Sequence, residues 1–542
     1  MKNKMIGWAV HVLLGVSSVS AFAHGGHDMS ESASHLGTVS FKTSCSESAQ
    51  HEFERGLSLL HSFYYPESVK SFSQVVTLDP SCAIGYWGIA ISQLPNPLVG
   101  PWDAATMQRG LDAVNAGKAL HTGTQREHDW LSALEPFFKN YQTVDQVTRT
   151  KRYEHAMAAL AKKYPQDVEA KIFHALALIE TFDHKSMKPL VKAIDILEPL
   201  NERYPDHPGI THYLIHAYDF PPLAKRGMAA ADKYSKIAPD APHALHMPSH
   251  IYSMLGAWNR SISSNIASAK SAGEYAAKSG MNGTPAAILH AYDFMEYAYL
   301  QLGQYDQAMS LVKASHELEG KPLQGAAPVG YMALAAIPAR YYLERRDWVG
   351  ASQLQVVDNP FAPALAVTHF ARAMGECHSG ALSGAQEDIK NLAAISDDLR
   401  SHGQAYWADQ VDVQRKAAGA WCEFATSPRH AQALEAMRAA ADQEDSSLKD
   451  VAMENRLYPM RELYADMLLA DGQSKAALDE YRISLRASPN RLAGLYSEFR
   501  AAVAVGNAAD IVNAAKRLSA LGRQSKVPRP EFSEADQITS RL

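Results

Sequence analysis

The chain carries 23 histidines in 542 residues, and the spacing of some of them could do chemistry. His212 and His216 lie four apart in THYLIHAYDFP, His246 and His250 lie four apart in HALHMPSHIY, and the two pairs are offset by 34 residues. Positions i and i+4 of a helix share a face, so each pair predicts two neighbouring imidazoles. A common phase in adjacent 34-residue units predicts one patch of four. The tetrapeptide HAYD occurs at His216–Asp219 and again at His290–Asp293, His174 falls on an equivalent helix, and His243 lies just ahead of the second pair. Such a set, with His212, His216, His246, His250, His290, Asp219 and Asp293 as ligands, suits a borderline cation such as zinc or copper. The same spacing also fits histidines that hydrogen-bond between neighbouring helices, with Tyr213, Tyr252 and aspartates as partners. A third reading is a groove for an anionic or peptide ligand, which would include His174 and His243. Pro248 predicts a helix start near Met247, which would leave His246 outside regular i, i+4 geometry. Neither pair belongs to an H-E-x-x-H motif, so no general base accompanies it.

The elements that must position these residues repeat. Glu462–Pro489, ELYADMLLADGQSKAALDEYRISLRASP, places small residues at Ala465 and Ala477, a turn at Gly472, an aromatic at Tyr481 and a stop at Pro489. These are the points where two antiparallel helices approach, turn and end. Gly506 follows Gly472 by 34 residues; Phe53–Pro80 (Gly56, Tyr65, Phe72, Pro80), Ile251–Ala267 and Tyr299–Val312 fit the same template. Alternating β-branched runs bounded by turns are almost absent.

These segments resemble the tetratricopeptide repeat (TPR) over most of residues 45–520. LLHSFYYPESVKSF, DPSCAIGYWGIA, HMPSHIYSMLGAW and SPNRLAGLY together resemble a large group of exported bacterial TPR proteins. The resemblance implies an all-α, TPR-type α-solenoid of stacked helix-turn-helix pairs with a concave groove, and it implies no reaction. Counted from Gly256, Leu245, Ser249, Tyr252 and Leu255 should pack on the partner helix. His246 and His250, about 100° further round, should then face the groove.

The expected organisation is a signal peptide (1–23), a flexible histidine-containing tail (24–44), N-terminal TPR hairpins (45–91) and irregular inserted helices (92–165). Central histidine-rich repeats (166–320), degenerate helical repeats (321–450), a C-terminal TPR pair (451–525) and a tail (526–542) follow. Pro95, Pro97 and Pro101 break the pattern, and Asp103–Leu120 and Arg126–Tyr141 read as inserted helices. Lys2 and Lys4, the apolar run Ile6–Val19 and Ala21-Phe22-Ala23 have the layout of a secretory leader cleaved near Ala23. A periplasmic or secreted protein with no transmembrane segment in its mature chain is therefore expected. Cleavage there would leave the amine and imidazole of His24, with His27 close behind, as a second place for zinc or copper; a solvated linker is the plainer reading.

Four cysteines in an oxidising compartment are read as Cys45–Cys82 and Cys377–Cys422, with buried free thiols as the alternative. The net charge of −6 argues against a nucleic-acid partner. No G-x-S-x-G elbow or phosphate-cradling glycine loop is present, so no catalytic residue is assigned. In the last two repeats Glu462, Asp466, Tyr496 and Arg500 occupy groove-facing places that suit a carboxylate or chain terminus, or else form salt bridges between repeats. Three functions follow: a scaffold that binds a peptide, protein or small ligand in its groove, a metal-binding protein, and an enzyme using metal-bound water.

Overall fold

The computed structural model describes residues 35–541 except 95, 101 and 429. The leader and the His24/His27 chelate lie outside the described residues. Helices begin where short polar side chains satisfy the free backbone N–H groups of the first turn. Asp103, Asp145 and Asp167 accept from the N–H of Thr106, Thr148 and Ala170, and start helices Ala104–Ala119, Gln146–Lys163 and Val168–Glu180. Thr124 and Glu127 cap helix Gln125–Phe138 reciprocally.

Successive helices form hairpins, among them Glu47–His61 with Tyr65–Leu78, Met460–Ala470 with Ser474–Ala487, and Leu492–Val505 with Ala508–Gly522. Within the second of these, Ala465, Ala477 and Tyr481 are fully buried, as close approach requires. The protein is a TPR-type α-solenoid. Among the described residues the only strand pairing is two residues long, Thr284–Pro285 parallel to Leu323–Gln324. No described helix is long and apolar enough to cross a membrane. Both disulfides are formed, Cys45–Cys82 and Cys377–Cys422.

The turns share one conformation. Gly256, Gly303, Gly472 and Gly506 have φ of 66°, 67°, 80° and 78°. Phe63 lies seven residues after Gly56, as Gly472 lies seven after Ala465, yet it holds φ 51° with a bulky side chain. A non-glycine residue there costs roughly 1–2 kcal/mol, so its ring must be held by something.

The solenoid also closes on itself. One hydrophobic cluster runs from Phe41 to Tyr252 and a second covers 332–502. A third joins Trp258, Tyr297 and Leu302 to Leu485, Leu495 and Phe499. Trp258 Nε1 donates to the Asn490 carbonyl at 2.8 Å, 232 residues away. Arg491, fully buried, donates to Glu344 at 2.5 Å and to Glu462 at 3.0 Å. The segment 446–459 crosses from the C-terminal repeats to the central ones, where the Leu448 N–H donates to the His184 carbonyl at 2.7 Å.

A Cβ at Gly472 would meet nothing within 4 Å, so Gly472→Ala tests backbone conformation alone. It is expected to lower stability by about 1 kcal/mol. Gly419 lies inside helix Ala405–Thr426 with equal space around it, and Gly419→Ala is expected to raise stability by about 0.5–1 kcal/mol. Urea midpoints of the two variants should move in opposite directions.

Candidate metal centre

Four helices bring six imidazoles together. Helix Pro208–Tyr218 supplies His212 and His216, Pro242–His246 supplies His243 and His246, Pro248–Met254 supplies His250, and Ala286–Gln301 supplies His290. Pro248 does not displace His246. Met247 keeps helical angles (φ −51°, ψ −37°) and joins the two short helices, because proline at a first-turn position lacks only an N–H that has no helical partner there.

The rings form two triads. In the first, His212 Nε2 lies 3.0 Å from His216 Nε2 and 3.1 Å from His243 Nε2. In the second, His246 Nε2 lies 2.9 Å from His250 Nε2, and the His246 and His290 rings are 4.6 Å apart. Within each triad all three ligand atoms lie within 4.8 Å of one another. A cation with bonds of about 2.0–2.1 Å to imidazole nitrogens needs them about 3–3.4 Å apart. The triads adjoin: His216 to His250, and His243 to His246, are each 6.0 Å between ring centroids.

The other ring nitrogen decides what each imidazole can do. His212 Nδ1 donates to the His61 carbonyl at 2.6 Å, His246 Nδ1 to Asn265 Oδ1 at 2.6 Å, and His250 Nδ1 to Asp219 Oδ2 at 2.7 Å. Asn265 Nδ2 donates to the Ser261 carbonyl at 2.8 Å, which fixes its amide with oxygen toward His246. Since both Nδ1 atoms of the His246–His250 pair are donors, both neutral rings present an Nε2 lone pair, and these face each other at 2.9 Å. Only a proton or another cation between them removes the repulsion. A proton is disfavoured: burial takes His246 down to about 4, and burial with the neighbouring imidazole pushes His250 well below the usual histidine range. His212, His216, His243 and His290 are lowered in the same way, first by burial and then by one another.

A cavity of about 360 Å³ opens on five of the six rings, His216, His243, His246, His250 and His290. Phe63, Tyr64, Tyr65 and Tyr275 give it aromatic walls. Phe63 stacks on His243 (5.3 Å, 21°) and on His216 (5.8 Å, 28°) and meets His212 edge-on at 4.4 Å. These ring contacts are what hold its left-handed turn.

Several expected ligands lie elsewhere. Asp219 lies outside both triads and orients His250, and the Lys449 ammonium sits 2.7 Å from the same carboxylate oxygen. Asp293 pairs with the buried Arg340. His174 turns to Glu154 at 3.0 Å, apart from the six rings. His243, expected as a groove residue, completes the first triad. The C-terminal set forms no open site, because its charges are used between repeats: Glu462 binds Arg491, and Asp466 accepts from Arg346 at 2.8 Å and Tyr481 at 2.5 Å. Tyr496 donates to Glu534 of the last helix at 3.2 Å and accepts from Arg500 at 3.4 Å. His61, Glu169 and His207 form a third buried cluster, but there both Nε2 atoms face Glu169 oxygens, at 2.9 and 2.8 Å, and it orients the His61 region as a satisfied hydrogen-bond network.

One signal in the sequence would have found the third ligands. His243 precedes Gly256 by thirteen residues, and His290 precedes Gly303 by thirteen. Each triad is thus an i, i+4 pair from one repeat and a histidine at a fixed phase in the next. Asn265 lies nine residues after its turn, a place held by Phe72, Tyr481, Val312 and Ala515 in other hairpins.

No protein-family model and no curated protein matches the chain. Among solved structures it is similar to that of Naa15/Naa10 bound to HypK-THB, at 13% identity over 91% of each chain with a TM-score of 0.23. It is also similar to the APC/C hetero-tetramer Cut9-Hcn1, at 11% identity over 91% of this chain and 90% of that one, TM-score 0.31. A monomeric IFIT1 mutant with m7Gppp-AAAA matches at 12% identity over 85% of this chain and 89% of that one, TM-score 0.33.

The crossing segment also brings a buried acid behind the site. Burial pushes the Glu454 carboxyl up to about 8, against the pull of Arg340. Its folded value exceeds that of the unfolded chain, so stability from this group is full below pH 4.5 and is lost as pH rises through about 8. Glu454→Gln, neutral at every pH, is expected to flatten that fall, seen by comparing unfolding midpoints at about pH 5 and about pH 9.

Proposed function

We propose that the chain is an exported TPR-type protein whose six clustered histidines hold two zinc or copper ions, three imidazoles to each. The observation that carries this reading is the pair of Nε2 lone pairs of His246 and His250 facing each other at 2.9 Å while both Nδ1 atoms are committed as donors. Hydrogen bonds from the distal nitrogen to an amide, a carboxylate or a carbonyl are how metal-ligating histidines are oriented, and three of the six rings have them. Export is supported by the leader-like start and by two disulfides, which persist in oxidising compartments.

The TPR-like scaffold supports a protein-interaction role, for which solenoids use their concave surface. At the level of the histidines, the ligand that fits is small, since the cavity holds about 360 Å³. A metal-dependent activity would act on a molecule seated there.

Protein purified without an affinity tag, stripped and then titrated with zinc or copper, is expected to bind two ions per chain. His246→Ala with His250→Ala should lose at least one, whereas His174→Ala should lose none. Elemental analysis of the dialysed proteins reads this directly. Binding below one ion per chain with helicity intact would refute the reading, and binding retained by the double variant would move the site elsewhere.

A further inference from the structure

We propose that the two ions are copper, that the reduced pair binds dioxygen between the triads, and that the cavity admits an ortho-diphenol for oxidation. The proposal rests on the two-ion reading above and adds to it the metal, the co-substrate and the substrate class.

Charge distinguishes the metals. The ligand set is six imidazoles, with no carboxylate or thiolate among them. The nearest acid, Asp219, is matched by Lys449 on the same oxygen. Two divalent ions would bring four positive charges to six neutral ligands and would need anions from solvent, such as metal-bound hydroxide, to offset them. Two cuprous ions bring half of that charge, and imidazole is among the ligands that copper takes. An oxidised pair needs a dianion between its ions, and dioxygen that has gained one electron from each cuprous ion is that dianion. Zinc has no such couple.

Geometry provides for the shared ligand. The triads touch through His216 with His250 and His243 with His246, at 6.0 Å between centroids in each case, so a diatomic molecule can reach both ions. Phe63 lies against His212, the one imidazole absent from the cavity surface, and flanks the first triad at a turn position where Gly256, Gly303 and Gly472 carry no side chain. Phe63, Tyr64 and Tyr275 line the same cavity as His246, His250 and His290 of the second triad. Flat aromatic walls over a floor of metal sites select a small aromatic molecule whose adjacent hydroxyls can bind metal.

The reaction balances. Two diphenols each give up two electrons and two protons and become two ortho-quinones. One dioxygen accepts the four electrons and four protons, its O–O bond breaks, and both oxygens leave as water.

The test loads the stripped, untagged full chain with two equivalents of cuprous ion under anaerobic conditions and then admits dioxygen. Uptake of one dioxygen per two coppers is expected, with no mononuclear cupric signal in the electron paramagnetic resonance spectrum because the two spins couple. Catechol should then turn over to quinone. In His290→Ala, uptake should be lost and an isolated cupric signal should appear on oxidation. If two coppers bind but no dioxygen is consumed, or two independent cupric signals appear, the copper-pair proposal falls and the metal-site reading stands. Uptake unchanged in His290→Ala would place the pair elsewhere and overturn the proposal. Failure to bind copper at all would overturn this proposal, while two zinc ions bound in the titration above would leave the metal-site reading standing.

Discussion

The site depends on hydrogen bonds made on the far side of its rings. Were Nδ1 of His246 free, the ring could turn its proton toward His250 and the pair would be an ordinary buried hydrogen bond. Asn265 prevents this, because its own amide is anchored on the Ser261 carbonyl and can offer only oxygen. Asp219 does the same for His250, and Lys449 holds that carboxylate in place from a segment 230 residues away. An unpaired buried acceptor costs about 1–3 kcal/mol, and two of them aimed at each other are the feature on which the proposed metal site rests.

That arrangement explains two departures from the repeat. A turn position that takes glycine at Gly256, Gly303, Gly472 and Gly506, and Arg346 in one further hairpin, has Phe63, and its strain is offset by ring contacts with three imidazoles. A position held by Phe72, Tyr481, Val312 and Ala515 in other hairpins has the polar Asn265. Each would weaken a hairpin whose only task was to stack. Both face the same six rings.

Much of this was legible in the sequence, and the rest had identifiable reasons for being hidden. The helix-turn-helix template, and the pairing of His212 with His216 and of His246 with His250, follow from periods of 34 and four, since local spacing fixes which residues share a face; all four rings are buried. The third ligands follow from phase relative to the turn glycine, a finer register than the motif itself. Asp219 and Asp293 sat in identical tetrapeptides but were drawn apart by partners from distant sequence, Lys449 and Arg340. No local pattern announces an ion pair made by a solenoid closing on itself. The same closure used the charges of Glu462 and Asp466 between repeats.

Stacking accounts for both the doubling of the site and its end. Each triad takes two rings from one repeat and one from the next, so no single hairpin completes a triad, and two triads require three consecutive repeats in register. The third repeat puts Asp293 ten residues before Gly303, the place His246 has before Gly256. Asp293 is committed to Arg340, and fully buried Tyr297, at the place of His250, donates no ring nitrogen. The ligand series therefore stops after two triads at the helix where the C-terminal repeats dock through Arg491 and Tyr297. A third centre and the closing interface would need the same surface of helix Ala286–Gln301, and that surface is given to the interface.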